Sequence, residues 1–113
     1  MAILTTQTIS EDGLDPVYSN AGASGDKVLP SRRTFLHVKN GGASASVTVT
    51  VEDTLSVEPA GATCFDPDLS VVVEPNGERM IGPIIQTRFI NTAGYADISY
   101  SQNASVTVAA IQV

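Results

Sequence analysis

Tryptophan is absent from this chain of 113 residues, and cysteine and histidine occur once each. Phe and Tyr add only three residues apiece. One cysteine cannot form an internal disulfide framework, and at this length none is needed, because a chain of about 100 residues can bury a core of its own. A metal site of the Cys/His kind is excluded on the same count. Without Trp and with few Tyr, the stacking platforms of glycan-binding surfaces have little to be built from. The six cations are outnumbered by twelve acids, a net charge of −6, and they are dispersed, which argues against a nucleic-acid groove. No apolar run approaches the roughly 20 residues of a bilayer span. The start Met1-Ala2-Ile3-Leu4 lacks the basic region of a signal peptide, so the expectation is synthesis in a cytosol without membrane attachment.

What is abundant is branched at Cβ. Val 13, Thr 11 and Ile 8 make 32 of 113 positions, while Leu stands at six. With nine Gly, six Pro and eleven Ser between them, these residues spell short strands separated by turns. The expected fold class is all-β, an antiparallel β-sandwich or a small jelly-roll or barrel-like domain of roughly seven to nine short strands. No repeat of about 20–50 residues is visible, which disfavours a solenoid or propeller.

Alternation locates the strands. Val47, Val49 and Val51 oppose Thr48 and Thr50, Ala96 and Ile98 oppose Asp97 and Ser99, and Val106 and Val108 oppose Ser105 and Thr107. Strands are also expected over Ala2–Ser10, Thr34–Lys39, Leu69–Glu74, Glu78–Ile81 and Ile84–Ile90, with a brief one at Lys27–Leu29. Asn40-Gly41-Gly42 and Pro75-Asn76-Gly77 read as hairpin turns, since Asn and Gly accept positive φ. Residues 52–68 read as a crossover loop between two sheets. From Leu14 to Asp26 neither period is sustained, and a loop of this length points to a contact element. The chain is one domain in which residues 1–29 form an N-terminal strand plus an irregular contact segment and 30–113 the sandwich core.

Reactive chemistry is poorly represented. His37 shares a strand face with Phe35 and Lys39, no acid or nucleophile is nominated beside it by the sequence, and a surface or interface histidine is expected. Cys64 has no basic neighbour to activate it and reads as a small buried hydrophobe. Glu52, Asp53, Asp66 and Asp68 could offer oxygens to Ca²⁺, yet no EF-hand or nonapeptide pattern frames them, and solvated loop carboxylates are the simpler reading. Nucleophile-elbow, phosphate-loop, dinucleotide and zinc-protease motifs are absent. No catalytic residue, cofactor or metal is therefore expected. Arg32 and Arg33, adjacent in extended backbone, should face opposite ways and form no joint cationic patch.

The segments Thr34–Gly42, Glu78–Pro83 and Val106–Ala110, in that order and spacing, resemble small virion proteins of tailed bacteriophages, of the head decoration or cement type. The likeness covers about residues 30–113, with an echo in Ile9–Tyr18. It implies a non-enzymatic β protein on the outer surface of a major capsid protein lattice, made in the bacterial host cytoplasm and self-associating, with a trimer as one form. The contact residues expected on this reading are Leu14, Pro16 and Tyr18 on the irregular segment, with Arg32 and Arg33. A head-completion or tail protein stands as the alternative, and a ligand- or glycan-binding sandwich as the second.

Overall fold

A computed structural model of the chain describes residues 2–52, 68–85, 89 and 94–113. Among these residues helix is confined to Phe89, and the chain forms ten strands joined by turns and irregular segments: β1 (Ala2–Leu4), β2 (Thr6–Thr8), β3 (Ser19–Asn20), β4 (Asp26–Val28), β5 (Thr34–Asn40), β6 (Val47–Val51), β7 (Leu69–Val73), β8 (Glu78–Ile81), β9 (Ala96–Tyr100) and β10 (Val106–Gln112). They make two sheets, one ordered β1-β4-β9-β6-β7 and the other β2-β10-β5-β8, with β3 also on β10. The protein is a small all-β sandwich.

The valine alternation does what period-two sterics require. Val47, Val49 and Val51 from one sheet and Leu36, Val38, Val106 and Val108 from the other are fully or almost fully buried and meet between the layers. Ala96, Ile98 and Phe89 complete this core. Most pairings are antiparallel, but β1–β4 and β2–β10 are parallel, so both sheets are mixed. Both parallel pairs are made by the N-terminal residues, which feed strands into each layer.

Leu4, Ala21 and Val28 belong to the core, so the sandwich draws on residues well before position 30. β5 fills one edge of β10 over its whole length, leaving the other edge to be shared end to end by β3 and β2.

Both expected hairpins are corrected. β5 pairs with β8 and β10, β6 pairs with β7 and β9, and the turn Asn40-Gly41-Gly42 therefore carries the chain across from one layer to the other. Pro75-Asn76-Gly77 does the same between β7 and β8. The two arches lie against each other: the Asn76 amide donates to the Gly42 carbonyl at 3.0 Å and the Asn40 amide to the Gly77 carbonyl at 2.9 Å. Asn40 clamps them. It is 1% exposed, its Nδ2 donates to the carbonyls of Ala45 (2.8 Å) and Val73 (3.2 Å), and its Oδ1 accepts from the Gly42 amide (3.0 Å).

The crossover expected over residues 52–68 falls largely on residues 53–67, outside the described ones, as does Cys64; the strands that flank it, β6 and β7, are antiparallel neighbours in a single sheet. Within the strand expected over Ile84–Ile90, Phe89 is helical instead and its amide donates to the Ile85 carbonyl at 3.1 Å, while residues 86–88 and 90 lie outside the described ones.

Asp26 is the most buried carboxylate among the described residues, 1% exposed, and its Oδ2 accepts from the Tyr100 hydroxyl (2.7 Å) and the Gly22 amide (3.1 Å). A Cβ on Gly22 would come within 2.6 Å of the Gly25 carbonyl, so the loop closes tightly only with glycine there. Burial of the Tyr100 ring, reinforced by its hydrogen bond to Asp26 and by that carboxylate's charge, holds the phenol protonated far above its ordinary range. An acid held protonated in the folded state stabilises fully below the unfolded value near 10 and loses that contribution as pH rises beyond it. Stability should thus fall above about pH 10 by as much as about 1.4 kcal/mol per pH unit from this group alone. Tyr100→Phe should cost about 1–2 kcal/mol at neutral pH and flatten that alkaline slope. Urea unfolding at several alkaline pH values checks both, and an unchanged slope in the variant would assign the dependence elsewhere.

Candidate functional site

The site grows from the outward face of β5. Leu36 and Val38 point into the core, so Phe35, His37 and Lys39 must point out. Register places Met80 of β8 and Ala109 of β10 opposite His37, and Ile111 opposite Phe35. Around His37 that face carries Phe35, Ala109, Ile111 and Met80, an apolar patch that gives way to charge only at Lys39 and Glu78. Part of it is covered. The chain from Leu14 to Tyr18 runs over it with Leu14, Pro16 and Tyr18 half-buried and Asp15 and Val17 exposed, the alternation of an extended strap lying on a sheet. Gln7 on β2 ties the strap down, its Nε2 donating to the Val17 carbonyl and its Oε1 accepting from the Val17 amide, both at 2.8 Å.

Beneath the strap lies a chain of polar groups. The Tyr18 hydroxyl is 2.6 Å from His37 Nδ1, and His37 Nε2 is 2.9 Å from Glu78 Oε1. In the neutral imidazole, an ionised Glu78 requires the proton on Nε2, which leaves the Nδ1 lone pair to accept from the phenol. The two rings meet edge to face at 5.5 Å, and Lys39 Nζ stands 4.2 Å from the centre of the Tyr18 ring. His37 is 7% exposed, whereas the Glu78 side chain is 60% exposed. Of the surface or interface histidine expected, the surface half is corrected: His37 faces outward from the sheet, but the strap covers it, and the sequence-remote Glu78 supplies an acid beside it.

Beside this chain of polar groups the strap leaves an open groove of about 300 Å³. Ile9, Leu14, Pro16, Phe35, Met80 and Ile111 give it apolar walls, and Tyr18 and His37 form its polar corner. Met80 is 69% exposed and Ile9 44%. Comparison with protein-family models, curated proteins and solved structures finds no match to the chain.

Of the five contact residues expected, Leu14, Pro16 and Tyr18 are gathered by the structure on one groove. Arg32 and Arg33 are elsewhere, in a turn that begins β5, where Ser31 Oγ accepts from the Arg33 amide at 3.2 Å. The turn overturns the reading of two opposed side chains in extended backbone, since both exposed arginines line one shallow depression with Ser31 and Gln112. Met80, Phe35, Ile111 and Glu78 do not stand out in the sequence as site residues. The signal available is the pair of uncharged stretches Phe35-x-His37 on β5, ahead of the charge at Lys39, and Ala109-x-Ile111 on β10, which marks a part of the sheet face that something covers. Of the possible Ca²⁺ ligands, Glu52 and Asp68 are exposed, Asp53 and Asp66 lie outside the described residues, and among the described residues no cluster of three or more His, Cys, Asp or Glu could hold a metal ion.

Proposed function

We propose that this protein is a non-enzymatic virion structural protein of the tailed-bacteriophage head decoration type, attaching to the outer surface of a major capsid protein lattice. The observation that carries the reading is the groove on the outer face of β10-β5-β8, open, apolar and flanked by the exposed Met80 and Ile9. Exposed apolar ground of this kind on a small acidic domain marks a contact surface. A self-associated form would engage several sites of a repeating lattice at once, so a shallow groove of moderate affinity per copy suffices through avidity. The opposite sheet, with Thr48, Thr50, Ser70 and Ser99 on its outward positions, supports the same role, because a polar second face keeps the free protein soluble before attachment.

The test is a copy count and a binding assay. Purified virions of the phage that encodes the protein should contain it in hundreds of copies, and the isolated protein should co-sediment with heads lacking it. About a dozen copies or fewer would assign it instead to head completion or the tail, and absence from virions would end the virion reading.

A further inference from the structure

We infer that Tyr18 is a covalent acceptor, its hydroxyl oxygen acting as the nucleophile of a tyrosine–histidine–glutamate relay that takes an acyl group from an activated ester seated in the apolar groove. The inference stands apart from the attachment reading and requires no turnover. An activated nucleophile is recognised by a base within hydrogen-bond reach and a third group that orients the base. Here the hydroxyl lies 2.6 Å from His37 Nδ1, and Glu78 Oε1 lies 2.9 Å from Nε2. The chain has one histidine, and both of its ring nitrogens are engaged in this relay, so no other tyrosine has an imidazole base. Tyr100 is bound instead to a buried carboxylate that holds its proton in place. Lys39, 4.2 Å from the Tyr18 ring centre, faces the negative charge that gathers on the phenol as its proton leaves. Tyr18 and His37 both open into the groove, whose walls Ile9, Leu14, Phe35, Met80 and Ile111 suit an apolar acyl chain and lack a carboxylate that would repel it.

The step balances without an oxidant or reductant. Tyr18 Oη forms a bond to the ester carbonyl carbon while its proton passes to His37 Nδ1, and Glu78 stabilises the resulting imidazolium through Nε2–H. The tetrahedral species collapses, the bond from carbonyl carbon to leaving oxygen breaks, and the proton on Nδ1 is returned to that oxygen. The products are an acylated Tyr18 and the free alcohol or phenol.

The experiment treats the full chain with 4-nitrophenyl butanoate, following nitrophenolate release and locating the added butanoyl group by peptide mass mapping. General-base assistance of this type contributes about 10²-fold or more, so Tyr18 should be acylated at least about 10-fold faster than Tyr95 or Tyr100. His37→Gln should slow its acylation about 100-fold and Glu78→Gln about 10-fold, and Tyr18→Phe should remove the fast phase. Glu78 is largely exposed, so its variant keeps the fold even if the His37 variant loosens the strap; circular dichroism verifies each. Equal labelling of the three tyrosines, or Tyr18 acylation unchanged in a folded Glu78→Gln or His37→Gln protein, overturns the inference.

Discussion

Asn40→Ala should lower the stability of the protein by about 3 kcal/mol and its melting temperature by roughly 12 °C, the largest single loss expected from an uncharged polar residue in this fold. The side chain is 1% exposed and makes three hydrogen bonds, to the carbonyls of Ala45 and Val73 and from the amide of Gly42. Truncation leaves those partners behind. Ala45 lies at the surface and can turn to water, but the contact with Val73 is buried, so its carbonyl would stay desolvated without a donor at a cost of about 1–3 kcal/mol. A small void adds to that.

Asn40→Asp should be at least as damaging, because a carboxylate oxygen would then face two carbonyl oxygens and carry a charge into a nearly closed site. Denaturant unfolding measures both. A loss below about 1 kcal/mol for Asn40→Ala would mean that the arches are held by their backbone bonds alone.

Asn40 also shows how far the sequence can be read. Asn-Gly-Gly after a strand is a strong turn signal, and the chain does leave its sheet there, bending at Ala43 and Ser44. Its chemistry states only that the chain reverses with positive φ available, not whether the next strand pairs alongside or crosses to the facing layer. That choice is made by what lies on either side: β5 is flanked by β10 and β8, and β6 by β9 and β7, so neither has a free edge for the other. Non-local pairing of this kind leaves no local mark. The alternating valines, by contrast, fix inward and outward faces residue by residue, which is why the pattern alone suffices to assign Val47, Val49, Val51, Ile98, Val106 and Val108 to the core.

The site is half legible for the same reason. Leu14, Pro16 and Tyr18 stand out because an aperiodic stretch between strands needs a purpose, and alternate burial along that stretch is a strap's signature once the sheet beneath it is known. His37 cannot be matched with Glu78, 41 positions away, from sequence, because the match depends on β5 and β8 being neighbours in register, with Lys39 opposite Glu78. The arginines fail differently. Ser31 folds the backbone back on itself through its hydroxyl and carbonyl, to the Arg33 and Thr34 amides, and a local turn of that sort defeats an argument built on extended geometry.

Met80→Glu should separate attachment from folding. Met80 is 69% exposed at the mouth of the groove, so the substitution removes nothing from the core and should change stability by no more than about 0.5 kcal/mol. On the capsid-binding reading, that side chain is desolvated against the lattice in an apolar contact, and a carboxylate there would have to shed its water. A central contact residue of this kind is worth about 2 kcal/mol or more, which predicts binding to heads weakened about 30-fold or more, while Met80→Leu should bind nearly as the parent does. The paired variant Arg32→Glu/Arg33→Glu is the internal comparison. Those guanidiniums stand on an exposed turn, where reversing charge changes the rate of encounter and its salt dependence more than the final affinity, by a few-fold at moderate ionic strength. Sedimentation of heads with labelled protein, titrated to saturation, reads all three. Parent-like binding by Met80→Glu together with loss of binding by the arginine variant would move the contact from the groove to the turn, and the strap over His37 would then be a cover for the sheet with no part in attachment.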